Sequence, residues 1–526
     1  MNVPGLGSML WIGCRTQWRS TLVWVLGLAV GMVETATSFA SLYDTPAKVH
    51  TYAAALASGP LVAINGRIEG LDSLGGLIQN EFGFLVSFAM PLMGVSLVTR
   101  ATRREEAAGR LETVVSGRVA RHAPTLAALI VAVTAILLTT VAFTAALLAA
   151  GISAGGALLY GASQGALAFV FAGIAAILAQ FALHTRGVYT GSLVLLAIGY
   201  VLRGVGDVTK TWVTWLSPLG WAEKTAPFGV TRWWVLLVPV VVGVVLGALA
   251  VLLAARRDCG SALIRPGAGP TRASSRLRHP VGLACWIHAP AMFGWLAGAV
   301  ILAALMGSLA KQFLDAMAGN PALADAFGAS GESPEKGLLS MTQLYLAIIG
   351  SGYVIQAVGL LRTEESAGRL EPRLAGRLSR RAWLAAHTWA VLGGLAIVSV
   401  VGSAVLAAAL AASTGHTGVV GSILAAGAAY LPAELVLAGL ALALFGLFPR
   451  LFPLAWAVYA LTTFIAFLAP GLKFPGWVRD LAPTSHVGNP PLGSPQGPAL
   501  ATLGIAAVIL VAVAVAGFRR REIPQG

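Results

Sequence analysis

Charged side chains are scarce in this chain, at 11% of residues, yet two stretches concentrate them. Residues 103–121 read RREEAAGRLETVVSGRVAR and residues 362–380 read RTEESAGRLEPRLAGRLSR. From Glu105 and Glu364 onward, ten of seventeen positions are identical, at a constant offset of 259 residues. Each copy carries three glutamates (Glu105, Glu106, Glu112; Glu364, Glu365, Glu371) and an arginine (Arg110, Arg369) beside a glycine (Gly109, Gly368). Carboxylates interleaved with guanidinium groups suit charge-assisted contacts with a protein partner. Glycine between them suits a backbone reversal, because it tolerates positive φ. A period of 259 in 526 residues means two copies of one unit.

Covalent chemistry has no comparable support. A phosphate-cradling loop needs G-x-x-x-x-G-K-[ST], and none of the six lysines follows a glycine. The serines form no nucleophile elbow. Cys14, Cys259 and Cys285 lack metal-ligand spacing, and the eight histidines stand singly. The expectation is a chain with no catalytic residue, no metal and no cofactor of its own.

The elements that must hold the two charged stretches are apolar. Hydrophobic residues make up 57% of the chain and mean hydropathy is +0.80. Runs of this length read as membrane-spanning helices, since lipid leaves the backbone no other hydrogen-bond partners. Twelve are expected: 22–41, 79–99, 123–150, 161–182, 188–206 and 233–255, then 291–310, 339–361, 383–411, 421–446, 453–470 and 500–518. The fold class is an all-α polytopic membrane protein of two repeated six-helix halves. Residues 1–255 form the first half with a charged loop at 100–122, and 291–526 the second with its loop at 362–382. Ala172-Gly173 matches Ala438-Gly439, and Ser217-Pro218 matches Ala482-Pro483, so the offset drifts after the third span.

With the N-terminus in the cytoplasm, 25 of the 35 Lys and Arg residues fall on the inner side. That bias sets both termini and both charged loops in the cytoplasm of a multi-pass plasma-membrane protein. It also accounts for the net charge of +14 without nucleic acid, since anionic headgroups attract basic residues.

Local patterns add detail. Trp11 and Trp18 share a helical face in residues 7–20, which reads as an amphipathic interfacial helix before span 1. Residues 256–290, with Pro266, Pro270, Pro280 and six arginines, read as a flexible cytoplasmic linker. The outer loops are 42–78, 207–232, 311–338 and 471–499. The second of these carries Trp212, Trp215 and Trp221 ahead of Trp233 and Trp234, as suits the headgroup layer. Thr102 and Glu105 have capping-box spacing, and Pro372 favours a new helix start. On one helix Glu105, Gly109 and Glu112 would share a face, although a bend at Gly109 and Gly368 fits the glycines better.

These residues carry a resemblance. The E-E-x-x-G-R-L-E loop after span 2, W-L-S-P-L-G-W at 215–221 with Arg232-Trp233-Trp234 behind it, and S-H-V at 485–487 resemble the twelve-span permeases of actinobacterial ABC exporters, the tetronasin-type polyketide-antibiotic family. The resemblance covers essentially the whole chain. It implies a fold like type V ABC exporter membrane domains and export of hydrophobic antibiotics, drugs or lipids. It also implies that Glu105, Glu106, Gly109, Arg110, Glu112, Glu364, Glu365, Gly368, Arg369 and Glu371 couple the permease to a separate ATPase. Two copies of that subunit would supply ATP and Mg chemistry. Pro372 and Arg373 stand where the first copy has Thr113 and Val114, so the two docking loops need not be equivalent.

Polar residues inside spans are costly in lipid. Glu434, Gln164 and Gln356 are candidates for a substrate path, with interhelical hydrogen bonding as the other reading. A proton-coupled multidrug antiporter is the alternative function, and a lipid-assembly protein a third. The antiporter class leads one to expect several membrane carboxylates and a different loop after span 2. The charge bias makes a direct prediction: cysteines placed at Lys48 and Lys473 label from outside the cell, and at Arg110 and Arg369 only from inside. Outside labelling at Arg110 would reverse the topology.

Overall fold

The structure is a computed structural model describing residues 3–56, 62, 65–115, 117, 119–264, 271–318, 334–376, 378–472 and 475–522. Lys473, Ser116, Arg118 and Arg377, the linker residues Arg265, Pro266 and Pro270, and most of the outer loop 311–338 lie outside the described residues. The fold is all-α, with no strand among the described residues and twelve helices long and apolar enough to cross a membrane. The chain divides into two compact units, Met1–Gly269 and Pro270–Gly526.

Unit 1 opens with α1 (Leu6–Leu42) and α2 (Pro46–Leu56), followed by α3 (Leu74–Ala101). Two short helices, α4 (Arg103–Ala107) and α5 (Arg110–Val115), make the first charged loop. The chain then crosses as α6 (Ala123–Ala149), α7 (Ala154–Phe181) and α8 (Thr185–Thr209). A 3-10 turn at Trp212–Leu216, α9 (Pro218–Lys224) and a second 3-10 turn at Trp233–Leu236 lead into α10 (Leu237–Ala255). Residues 7–20 are not a separate interfacial helix. They are the first turns of α1, which runs unbroken for 37 residues, roughly 55 Å at 1.5 Å per residue. Met9 on these turns packs against Ala123 and Ala127 of α6, while Trp11 and Trp18 stay exposed.

Unit 2 repeats the order. Its helices are α11 (Pro280–Ser308), α12 (Ala310–Ala318), α13 (Pro334–Ser366), α14 (Leu370–Leu374), α15 (Arg380–Thr414), α16 (Val420–Leu447), α17 (Pro453–Leu472), α18 (Gly476–Arg479) and α19 (Gly497–Arg520). The expected linker therefore ends early, because Pro280 supplies the first turn of α11.

Within each unit the same spans touch. Span 1 lies on span 3, span 2 on span 4, and span 4 on span 6. Lipid gives helices no hydrophobic reason to associate, so small residues that allow close approach carry the contact. Gly173 of α7 meets Leu246 of α10, where an added Cβ would stand 2.8 Å from the leucine Cβ. The matching Gly439 of α16 meets Leu510 of α19 at 2.9 Å. Outward faces stay apolar, as at Leu137, Leu138 and Val141 on α6 and Ile505, Val508 and Ile509 on α19. Replacing Gly173 or Gly439 by Val should lower stability by about 1–3 kcal/mol through overpacking. Gly27→Ala, at a site with no neighbour within 4 Å, should not. Thermal unfolding in detergent checks both, and an unshifted Gly173→Val midpoint would contradict the packing account.

Candidate coupling site

Each charged loop folds into a small knob at the end of span 2. In unit 1, α3 ends at Ala101 and α4 follows Thr102, with helical backbone bonds crossing the joint from Thr102 to Val98 O and from Glu106 to Thr102 O, both at 3.0 Å. The expected capping box does not form: Thr102 Oγ1 donates back to Val98 O at 2.7 Å instead of receiving an amide. Gly109 then turns the chain at φ +71°, separating Glu105 from Glu112 on different helices. In unit 2 the span runs on to Ser366 before Gly368 turns it at φ +68°. No heavy atom lies within 4 Å of an added Cβ at either glycine, so conformation and not space requires glycine there.

The glutamates divide into two kinds. Glu105 faces water and makes a two-point pair with Arg110, at 2.6 and 2.8 Å. Glu112 and Glu371 are exposed. Glu106 is buried at 3% side-chain exposure and accepts from three donors. Arg257 reaches it at 2.7 Å, Arg103 at 3.1 Å, and the Gly260 amide at 2.6 Å. Arg257 follows the end of α10 and also donates from Nε to Gln180 Oε1 of α7. Arg103 Nε donates to Ala179 O, one of the carbonyls left open by the last turn of α7. The Leu263 amide donates to Gln180 O at 3.0 Å. One carboxylate thus joins the knob to the ends of spans 4 and 6, and holds residues 257–263 against unit 1. That stretch of the expected linker is fixed, not free.

Unit 2 builds the same clamp with different neighbours. Glu365, buried at 7% side-chain exposure, accepts two bonds of 2.7 Å from Arg521, just past the end of α19. The Arg521 guanidinium lies over Phe445 of α16 and Phe518 of α19, at 5.4 and 5.6 Å from the ring centroids. Arg380 at the start of α15 donates to Arg521 O at 2.6 Å. Glu364 takes Arg369 at 2.9 Å and Arg373 at 3.0 Å. The residue that distinguishes the second copy, Arg373, therefore shares the Glu364 carboxylate with Arg369. Pro372 sits inside α14, which already begins at Leu370.

Of the candidates inside spans, Glu434 is 1% exposed and packed among α13, α15 and α16. Ser399 Oγ donates to it at 3.3 Å, and Gly350 leaves room for its Oε1. A turn away, Ser403 and Gln343 form a similar pair at 3.3 Å. In unit 1 Gln164 is buried with no donor to its Oε1 among the described residues. Gln356 is exposed and accepts from Trp295 Nε1 at 2.6 Å. Glu434 and Gln356 thus each have an interhelical hydrogen bond.

Two groups escaped the sequence reading. Arg257 and Arg521 count there only as inner-face charges, although a basic run after the last span of both halves was a usable signal. At the far end of unit 1, Arg203, Asp207 and Glu223 come together. Thr214 Oγ1 donates to Asp207 at 2.9 Å, and the Arg67 amide donates to Glu223 at 2.9 Å. Burial, and then the neighbouring Asp207 carboxylate, hold the Glu223 carboxyl well above the ordinary carboxylate range. Sixteen residues separate Asp207 from Glu223, so no short-range pattern could show the pair.

Removing one partner of a buried ion pair strands the other charge. Glu106→Ala should therefore cost about 3–5 kcal/mol of stability, and Glu105→Ala far less. Thermal unfolding of the purified chain compares them, and equal midpoints would contradict the clamp.

The comparisons with known proteins agree with this architecture. The family described as "Multidrug efflux system permease Rv1217c, C-terminal domain" matches residues 6–253 and 277–519. The chain is 30% identical, over 99% of its own length and 95% of the relative's, to the multidrug efflux system permease protein Rv1217c of Mycobacterium tuberculosis. With both matched segments falling on six-helix units that each end in the same clamped knob, the chain belongs to the Rv1217c family of multidrug efflux permeases.

Proposed function

We propose that this multi-pass permease is the membrane subunit of an ATP-driven exporter, and that its two knobs are the docking points for a separate ATPase. The observation that carries this reading is the division of labour within each knob. One glutamate, Glu106 or Glu365, is spent on anchoring. Glu105, Arg110 and Glu112 in the first knob, and Arg369 and Glu371 in the second, stay accessible around a fixed glycine turn. A surface loop held by a buried ion pair to the ends of spans is rigid enough to pass on a push. An unattached loop would absorb it.

On this reading the knobs face the cytoplasm of a plasma-membrane protein, as the arginine bias supports. Two ATPase copies, one per knob, bring ATP and Mg, and this chain contributes no catalytic group. The cargo is a hydrophobic compound; the motif resemblance adds polyketide antibiotics as the finer class. Glu106 and Glu365 then act as positioning residues and not as contacts with the ATPase.

The test is copurification of an ATPase bearing a Walker A motif, together with drug export, for Glu112→Lys combined with Glu371→Lys. Neither side chain is buried, so the spans should stay folded. Reversing charges at a docked contact should weaken binding roughly thirtyfold or more, as expected for about 2–5 kcal/mol. Gly109→Val should also uncouple, by forbidding the left-handed turn. Arg272→Gln with Arg276→Gln serves as the control. Full binding and export by the charge-reversal variant would remove the knobs from the coupling role. Export by the chain without any ATPase would instead establish the proton-coupled alternative.

A further inference from the structure

The end of unit 1 remote from the knob contains a cavity of about 230 Å³, at the point where α8 finishes and the 3-10 turn at Trp212–Leu216 begins. Its lining includes Arg67, Asp207, Lys210 and Lys224, with Trp212 and Trp215. We propose that this cavity binds a phosphate-class anion, and that the occupant is the phosphodiester headgroup of an anionic membrane lipid.

The charge balance is the first argument. Among the described residues, Arg67, Lys210 and Lys224 pair with no carboxylate. Asp207 is the acidic residue of the lining, and Arg203 stands 4.0 Å from it. Within the lining, Arg67, Lys210 and Lys224 face the single acid Asp207, an excess of two positive charges. Such an excess in a recess needs a counter-ion.

The backbone is the second. Lys210 caps α8 in the left-handed conformation, at φ +58°. A lysine there is strained by roughly 1–2 kcal/mol, and strain of this kind collects at functional sites. The Thr211 amide, bonded to Gly206 O at 3.0 Å, holds the turn that directs this part of the chain over the cavity.

Size and surroundings choose the occupant. Pockets for drug-sized molecules run about 300–1,000 Å³, so this cavity takes a headgroup and not a whole drug. Trp212 of the lining is exposed, as is Trp234, which stacks on Trp215 of the lining at 5.9 Å, and exposed tryptophan marks the headgroup layer. Below Lys210, Val201, Val205 and Val208 of α8 are exposed, an apolar face of the kind an acyl chain covers. Unit 2 lacks the acid and the lysine of α9 at the matching positions. The offset from Ser217-Pro218 to Ala482-Pro483 is 482 − 217 = 265, and it aligns Glu223 and Lys224 with Gly488 and Asn489. The inference is independent of how transport is energised.

Native mass spectrometry of the full purified chain, with phosphatidylglycerol or phosphatidylcholine added to the micelles, tests it. The parent should retain phosphatidylglycerol in preference to phosphatidylcholine. Lys210→Gln with Lys224→Gln should weaken retention by about fivefold for each lysine removed, while Lys210→Arg with Lys224→Arg should preserve it. Arg272→Gln with Arg276→Gln, which removes charge elsewhere, should leave it unchanged. If the double glutamine variant does not fold, Lys210→Gln alone, at an exposed position, should still show its fivefold loss. Equal retention by parent and glutamine variants would overturn the site. Thermal protection by inorganic phosphate without phosphatidylglycerol retention would overturn the lipid as occupant.

Discussion

A carboxylate withdrawn from water at a membrane surface must meet positive charge, or the fold around it fails. Glu106 and Glu365 are placed in this way, and much of the knob end of each unit is arranged to satisfy them. Arg257 and Arg521 arrive from the last turn of span 6, and each brings its own supports. Arg257 leans on Gln180 and Arg521 on two phenylalanines, so the carboxylate also fixes span 4. A weak exposed pair could not set the position of a helix end. A buried two-point pair can, because its geometry admits little slack. The glycine turn then presents the remaining charges at a fixed distance from that anchor.

The two copies reach one arrangement by different routes. In the first, a second arginine, Arg103, joins the clamp and closes the open carbonyls of α7. In the second, span 2 continues as a straight helix, and Arg373 satisfies Glu364 from α14. Duplication therefore kept one buried glutamate anchored to an arginine beyond span 6, while its other partners changed.

The spans, their number and the glycine turns were legible in the sequence. Each depends on a property of a single residue type or of a continuous run. Lipid demands long apolar helices, and positive φ favours glycine. The clamps were not legible, because Glu106 and Arg257 lie 151 residues apart and Arg257 looks like any inner-face arginine. The capping box failed for a physical reason: inside a continuing helix, the Thr102 hydroxyl finds the Val98 carbonyl nearer than the next free amide. Residues 7–20 keep Trp11 and Trp18 exposed, as an interfacial face requires, but run without a break into span 1, because nothing between them stops the helix. The acid pair at the far end was hidden by its spacing, and by the habit of reading outer-loop tryptophans as anchors only.

The central claim is that the knobs, held by their clamps, are where the ATPase engages the permease. Hydrogen–deuterium exchange of the permease with and without a copurifying Walker A ATPase tests this most directly. The account predicts new protection at residues 104–115 and 366–376, extending to the ends of spans 4 and 6 in each unit. Protection confined to the linker or the termini, with both knobs exchanging as in the free permease, would contradict it.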